Sequence, residues 1–254
     1  MLVIDTLRFS FETHKHKSKQ KNVDNSKQEN SQMEFNLEVG AGEILSVIGP
    51  SGSGKTTLLN LIAGFLKPSS GKVLINDKDI STLAISDRPV TTVFQENNIF
   101  PHLDVFTNVA LGIQPSLKLN DSNTQQIHDA LKSVGLENFS KRKPKALSGG
   151  QRQRVALARA LVRKHSILLL DEPLAALGPA MRDEIIDLLR NLVESEQMSA
   201  LLISHQPEDA LRASARTAFI DNGRILTIED STQLLGNQSN ASTLIEVQEY
   251  LGRL

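Results

Sequence analysis

Positions 1–11 alternate between apolar and polar residues and are rich in β-forming types, the period-two pattern of a half-buried strand. The pattern then stops. Positions 14–32 are polar everywhere except Val23, with Lys15, Lys17, Lys19, Lys21 and Lys27 interleaved among Asn, Gln, Ser, Asp and Glu. Such a segment cannot bury enough surface to offset its ordering entropy, so it reads as a solvated insertion between two strands. The competing reading, a basic contact to headgroups or nucleic acid, is weakened by the acids and amides among the lysines. Strand patterns resume over Glu34–Val39 and Ile44–Ile48, joined by a turn at Gly40-Ala41-Gly42. Thr57–Ala63 has helical spacing, and Val90–Phe94 and Ala200–Ser204 read as strands. Ile167-Leu168-Leu169-Leu170 is apolar without interruption, which suits a central parallel strand covered on both faces. The tail, Thr243–Leu254, reads as a short amphipathic helix. No internal repeat is visible.

Composition narrows this little. The chain has 254 residues, long enough for one large α/β domain or two small ones. With 28 Lys and Arg against 29 Asp and Glu, the net charge of -1 gives no bulk reason to expect nucleic acid or an anionic membrane as partner. The absence of cysteine excludes disulfides, thiolate metal sites and a cysteine nucleophile. Met1 is followed by Leu-Val-Ile-Asp without a basic region, apolar core or cleavage site, so no secretory signal is expected. The longest apolar stretches, such as Leu58–Leu66, are broken by Asn60 and Gly64 and fall far short of a bilayer span.

The candidate chemistry lies first in Gly49-Pro50-Ser51-Gly52-Ser53-Gly54-Lys55-Thr56, which fits G-x-x-x-x-G-K-[ST] between a predicted strand and a predicted helix. The physics needs that order. Glycines let backbone N–H groups turn inward around phosphate oxygens, and the helix N-terminus, at Thr57, adds its positive dipole end. Lys55 then reaches the β- and γ-phosphates, and Thr56 offers a hydroxyl to Mg²⁺. The alternative, a glycine-rich turn that happens to contain Lys-Thr, loses weight once a second element is added. The apolar run 167–170 ends in Asp171-Glu172, two acids at the carboxyl end of a strand, where ligands bind in open α/β sheets. Asp171 would hold Mg²⁺ through its water shell, and Glu172 can accept the proton of an attacking water. Together these elements mark a P-loop ATPase or GTPase.

Leu147-Ser148-Gly149-Gly150-Gln151, followed by Arg152-Gln153-Arg154-Val155-Ala156, narrows the choice. Physically it is a second anion site, with Ser148 and two glycines at the start of a helix. The segment resembles the signature sequence of ABC ATPases, and the likeness extends over nearly the whole chain. That resemblance implies an α/β P-loop NTPase fold: a RecA-like core with an antiparallel β subdomain, plus a helical subdomain at about 95–150. It implies one ATP-binding domain over 1–235 and a tail helix over 236–254. It also implies a head-to-tail dimer in which Ser148, Gly149, Gly150 and Gln151 of one copy close over ATP in the P-loop of the other. Gln95 matches the glutamine that senses Mg²⁺ and the γ-phosphate. His205 matches the switch histidine that holds the γ-phosphate and attacking water. Phe11 falls near the family's adenine-stacking aromatic, with Phe9 the competing choice and a plain sheet role open for both.

Two departures stand out. The insertion at 14–32 is longer than this hairpin usually allows. In Leu174-Ala175-Ala176-Leu177-Gly178-Pro179, which resembles the family's D-loop, Gly178 stands where an aspartate is usual, and slow or weakly cooperative hydrolysis is expected. The stretch Ser86–Leu103, continuing through Asn108–Gly112 to Asn120, is similar to the ATP-binding subunits of bacterial thiamine importers. The resemblance implies ATP and Mg²⁺, separate permease subunits, an indirect link to an extracytoplasmic solute-binding protein, and a place on the cytoplasmic face of the membrane. Import of another vitamin, iron or polyamine is the alternative. A non-transport ABC ATPase of DNA repair or translation is disfavoured, because no coiled-coil insertion or second module is visible, and the set Lys55, Asp171, Glu172 and His205 disfavours a non-hydrolysing module.

Overall fold

A computed structural model describes residues 1–11, 32–94, 98–236 and 244–252. The expected insertion, apart from Gln32, and Gln95 lie outside these residues. The strands are β1 (Leu2–Phe9), β2 (Met33–Val39), β3 (Glu43–Ile48), β4 (Ser70–Ile75), β5 (Lys78–Asp79), β6 (Val90–Val93), β7 (Ile167–Asp171), β8 (Ser199–Ile203), β9 (Arg216–Asp221) and β10 (Arg224–Asp230). The helices are α1 (Lys55–Ala63), α2 (Val105–Ala110), α3 (Asp121–Ser133), α4 (Gly149–Leu161), α5 (Pro179–Ser195), α6 (Pro207–Ala213), α7 (Ser231–Leu235) and α8 (Ile245–Tyr250).

All the strands belong to one sheet of order β5-β4-β1-β2-β10-β9-β3-β8-β7-β6. From β9 to β6 the neighbours run parallel, and β1, β2, β4 and β5 form an antiparallel wing. The turn at Gly40–Gly42 joins two strands that do not pair with each other: β10 and β9 lie between β2 and β3. Each of the two takes a different set of hydrogen bonds, β2 in the wing and β3 in the parallel core.

Period-two alternation sorts the core strands into two layers. Leu168, Leu170, Ala200 and Leu202 face a core made with α2, α3, α4 and α5. Ile167, Leu169, Leu201 and Ile203 face the opposite core, where α1 meets the apolar side of the wing. Leu58, Leu59, Leu61 and Ile62 are all buried, because the sheet curls and covers α1 from both the parallel core and the wing. Thr56, Thr57 and Asn60 share the one face that is not buried, so the apolar arc of α1 is wide without being complete.

The far end of α1 is closed by a residue that sequence patterning does not single out. Arg88 is 4% exposed and sits in the loop before β6. Its Nη1 donates to the carbonyls of Leu61 (2.9 Å) and Ile62 (2.7 Å), its Nη2 to Ser81 (2.9 Å) and its Nε to Leu83 (3.2 Å). The guanidinium thereby serves α1 as a C-terminal cap, satisfying carbonyls left open by the end of the helix. In the helical region, Asn108 has a comparable role. Fully buried, it accepts from Phe100 N (2.8 Å) and donates to the carbonyls of Phe100, Leu103 and Asp104, so it fixes the loop leading into α2. Arg88→Leu is expected to destabilise the protein by about 3 kcal/mol or more, since buried carbonyls lose their donors. Denaturant unfolding measures this, and a variant as stable as the parent would refute the capping role.

Candidate functional site

The parallel register builds the site. Val47 of β3 lies opposite Ile203 of β8, which lies opposite Asp171 of β7. The residues that follow these three therefore leave the sheet along one edge: the loop 49–54, Glu172, and Ser204-His205. Phe94 arrives at the same edge, because Val93 pairs with Leu170.

The loop after β3 needs glycine at its first position. Gly49 has φ +147°, and a Cβ there would lie 2.0 Å from the Ile220 carbonyl. The turn between β9 and β10 braces the loop from below, with Gly223 N donating to Ser53 O at 2.9 Å. Pro50, Ser51 and Gly52 form its more open crest, and Ser53, Gly54 and Lys55 are buried. Gly54 caps α1 without a side chain, and the first helical bond runs from Leu58 N to Gly54 O at 2.9 Å. The N–H groups of Lys55, Thr56 and Thr57 consequently have no partner within the helix and are available to an anion. The Ser53 hydroxyl is buried without a hydrogen-bond partner. Such an orphaned group suits a polar ligand.

Lys55 is 5% exposed. Its Nζ donates to the carbonyls of Gly49 and Pro50, each at 2.8 Å. Burial pushes the ammonium pKa down, and the charges of Glu172 and Asp171 oppose that shift. Asp171 is pushed the other way: burial raises its pKa, and the Glu172 charge adds to the rise. A hydrogen bond from the Thr56 side chain and the charges of His205 and Lys55 act against it. Glu172 sits in the left-handed region at φ +49°, with its N–H donating to Ile203 O at 3.2 Å. A non-glycine residue held there is strained, as is common where a side chain must be aimed. Its carboxylate meets Nε2 of His205. Thr56, Asp171, Glu172, His205 and Lys55 thus form one charged cluster at the mouth of the loop.

A further set of residues holds His205 in place. Ser204 Oγ donates to the buried Asp209 carboxylate and accepts from Gln206 N, both at 3.0 Å. Asp209 lies 3.9 Å from Arg182, and Arg182 Nε donates to Leu177 O at 2.9 Å. This chain of contacts joins the segment before α5 to both neighbours of His205. Asp209 and Arg182 carry no motif in the sequence. The only signal is an acid four residues after the histidine, in the first turn of α6.

The second motif stands apart. Ser148 Oγ accepts from Gln151 N (3.2 Å), and Gln151 Oε1 accepts from Ser148 N (3.0 Å), a capping box that opens α4. Gly149 and Gly150 pack toward Leu177 and Met181, where an added Cβ would come within 3.5 and 2.5 Å. Among the described residues, no hydrogen bond or ion pair joins 148–151 to the charged cluster. Gly178 is the N-cap of α5 at φ -73°, and a Cβ there would meet no atom within 4 Å. Phe9 belongs to the core, but Phe11 is 58% exposed, its ring edge-on to Phe9 at 4.8 Å. Phe9 pairs with Met33, whose sulfur borders Gly54, so this end of β1 lies beside the loop.

Asp171 carries a stability penalty whose sign follows from its raised pKa. The native state holds the proton more tightly than the unfolded chain, so this group's contribution to stability falls as pH rises through the window above the ordinary carboxylate range. Asp171→Asn is therefore expected to raise the unfolding midpoint of the ligand-free protein at pH 7, with the gain shrinking as pH is lowered into that range. Thermal melts at several pH values measure it, and a variant less stable than the parent at pH 7 would contradict the account.

Residues 32–175 match the family described as ABC transporter. Proteins named thiamine import ATP-binding protein ThiQ are similar over most of their length. That of Brucella abortus is 47% identical over 87% of this chain and 90% of its own. That of Chelativorans sp. is 50% identical over 81% and 84%, and that of Escherichia coli 47% over 85% and 93%. Among solved structures, a dimeric ATP-binding cassette in a post-hydrolysis state bound to ADP and Pi is 28% identical with a TM-score of 0.72, covering 91% of this chain and 99% of that one. The cbiO1 protein of Clostridium perfringens, part of an ABC transporter complex, is 26% identical with a TM-score of 0.78, covering 93% and 90%. With residues 32–175 matching that family and relatives at 47–50% identity over most of their length, the chain, whose glycine-rich loop, two adjacent acids and histidine share one sheet edge, belongs to the ABC transporter family.

Proposed function

We propose that this chain is the ATP-hydrolysing subunit of a bacterial thiamine importer, working as one of a head-to-tail pair beneath a separate membrane permease. The observation that carries the hydrolytic reading is the hydrogen-bonded cluster of Thr56 with Asp171 and His205 with Glu172, set at the mouth of the Gly49–Gly54 loop. The thiamine assignment is supported by the names of the relatives at 47–50% identity.

The free N–H groups of Lys55, Thr56 and Thr57, the Ser53 hydroxyl and the Lys55 ammonium bind the phosphates. Lys55 leaves its two loop carbonyls to do so. Thr56 and Asp171, with Gln95, would hold Mg²⁺, which neutralises charge on the phosphate oxygens. Glu172 takes the proton of the attacking water, and His205, held against it, positions that water and the γ-phosphate. Phe11, exposed beside the loop, offers its face to adenine. The Gly149 and Gly150 N–H groups at the start of α4 close over the γ-phosphate of the partner copy, as Ser148 and Gln151 hold that helix end open.

Among the described residues no helix is long and apolar enough to cross a membrane. Membrane work therefore goes through docking, and Phe65, Leu83, Ile85 and Phe100, each 40–50% exposed, offer apolar surface for a permease. The location is the cytoplasmic face of the inner membrane, with the solute-binding protein reached only through the permease. Nothing in the near-neutral charge favours nucleic acid.

Glu172→Gln is expected to keep ATP affinity and accumulate as an ATP-bound dimer on size exclusion, with turnover lower by ~10²–10⁴. Near-normal turnover would refute the base. Lys55→Ala should abolish nucleotide binding to the monomer, whereas Ser148→Arg should spare it and block ATP-dependent dimerisation; equal loss of binding by calorimetry would refute the composite site. In cells lacking this gene, wild type but not Glu172→Gln should restore uptake of labelled thiamine. Intact ATPase activity without rescue would point to another solute.

Gly178→Asp fits without strain and gives α5 an accepting N-cap, for a gain of a few tenths of a kcal/mol. Steady-state ATPase assays with the permease present should show higher turnover or a higher Hill coefficient at unchanged nucleotide affinity. Identical curves would mean that the Leu177–Arg182–Asp209 path already does this work.

A further inference from the structure

Tyr250 is the one tyrosine of the chain and lies at the end of α8, far in sequence from every motif of the site. Its hydroxyl nevertheless donates to the backbone carbonyl of His205 at 3.1 Å, across 45 residues. The ring stands edge-on to Phe219 with centroids 5.5 Å apart. Phe219 pairs with Ile48, the last residue before the phosphate loop. Val247, one turn earlier in α8, is fully buried with Ile48, Phe219, Ala210 of α6, and Leu234 and Leu235 of α7. The tail helix is thus packed at once against the strand that launches the loop and the helix that follows the switch histidine.

We infer that Tyr250 is a positioning residue for hydrolysis, tying the His205 segment to the start of the phosphate loop so that the imidazole is aimed at Glu172. This rests on the ATPase reading above. The hydroxyl touches no reacting atom; it acts through the His205 main chain, whose ring meets the Glu172 carboxylate. The same oxygen has the Gly49 backbone N–H as a hydrogen-bonding partner, and burial raises the phenol above its usual pKa, so at neutral pH it remains a protonated donor. His205 is thereby held from two sides: through Ser204 and Gln206 by Asp209, and through its own carbonyl by Tyr250.

The test uses the full chain and Tyr250→Phe, which keeps the ring on Phe219 and removes only the hydroxyl. Since small misplacements at a reacting centre can reduce rates by up to ~10²-fold, we expect kcat to fall roughly tenfold with KM for ATP nearly unchanged. In a His205→Ala background, the same substitution should lower kcat no further. Unchanged kcat in Tyr250→Phe would overturn the inference. So would the same fold-loss in both backgrounds, because that is what a general loosening of the fold would produce. A second readout does not need turnover. In protein labelled at histidine, with the His205 resonance assigned through His205→Ala, Tyr250→Phe should shift the His205 imidazole signals and leave His102 and His128 in place. An unmoved His205 signal would overturn the inference. A wild-type protein without ATPase activity would overturn the ATPase reading instead, and the imidazole signals would then decide the positioning role by themselves.

Discussion

The site depends on one constraint: the parallel register that sets Val47, Ile203 and Asp171 side by side. Parallel strands with matched ends deliver their following residues to one edge, and here those residues are a glycine-rich loop, an acid and a histidine. A one-residue slip of β7 would turn Leu168 and Leu170 toward the α1 side and Ile167 and Leu169 away from it. Both faces of β7 are buried, so its apolar run tolerates either face.

The loop is as dependent on enclosure as on sequence. Helix α1 follows the glycine-rich turn and is apolar over most of its circumference, so it is stable only because the sheet curls around that wide arc. Arg88 closes one end of this helix, and the β9–β10 turn supports the loop at the other through Gly223 and Ser53. Rigid supports of this kind let backbone N–H groups stay oriented without a ligand to organise them.

The charged cluster trades stability for function. Burial disfavours the ionised forms of both Lys55 and Asp171, and each charge partly compensates the other. Glu172 is held in the left-handed region beside them. Groups kept charged at low dielectric act strongly on any ion brought beside them, which is why such clusters sit at functional edges despite the penalty.

Local chemistry was readable from the sequence because it resides in short spacings. The order Gly49–Thr56, the apolar strand ending in Asp171-Glu172 and the helix-opening Ser148–Gln151 are each set by a few neighbouring residues. The sequence alone therefore determined the fold class, the two glycine-bearing helix starts and the acids at a strand end. What the tertiary structure decided is every relation between distant segments. It separated β2 from β3 by two inserted strands, buried Phe9 while leaving Phe11 exposed, and showed Gly178 to be a helix cap in open space. It also revealed Arg88, Asp209 and Tyr250, none of which has a motif: Arg88 and Tyr250 work through backbone carbonyls of other segments, and Asp209 through the Ser204 hydroxyl. A hydrogen bond to a main-chain carbonyl leaves no mark on the identity of its partner residue, so patterning along one dimension cannot register it. Only packing in three dimensions brings the two ends together.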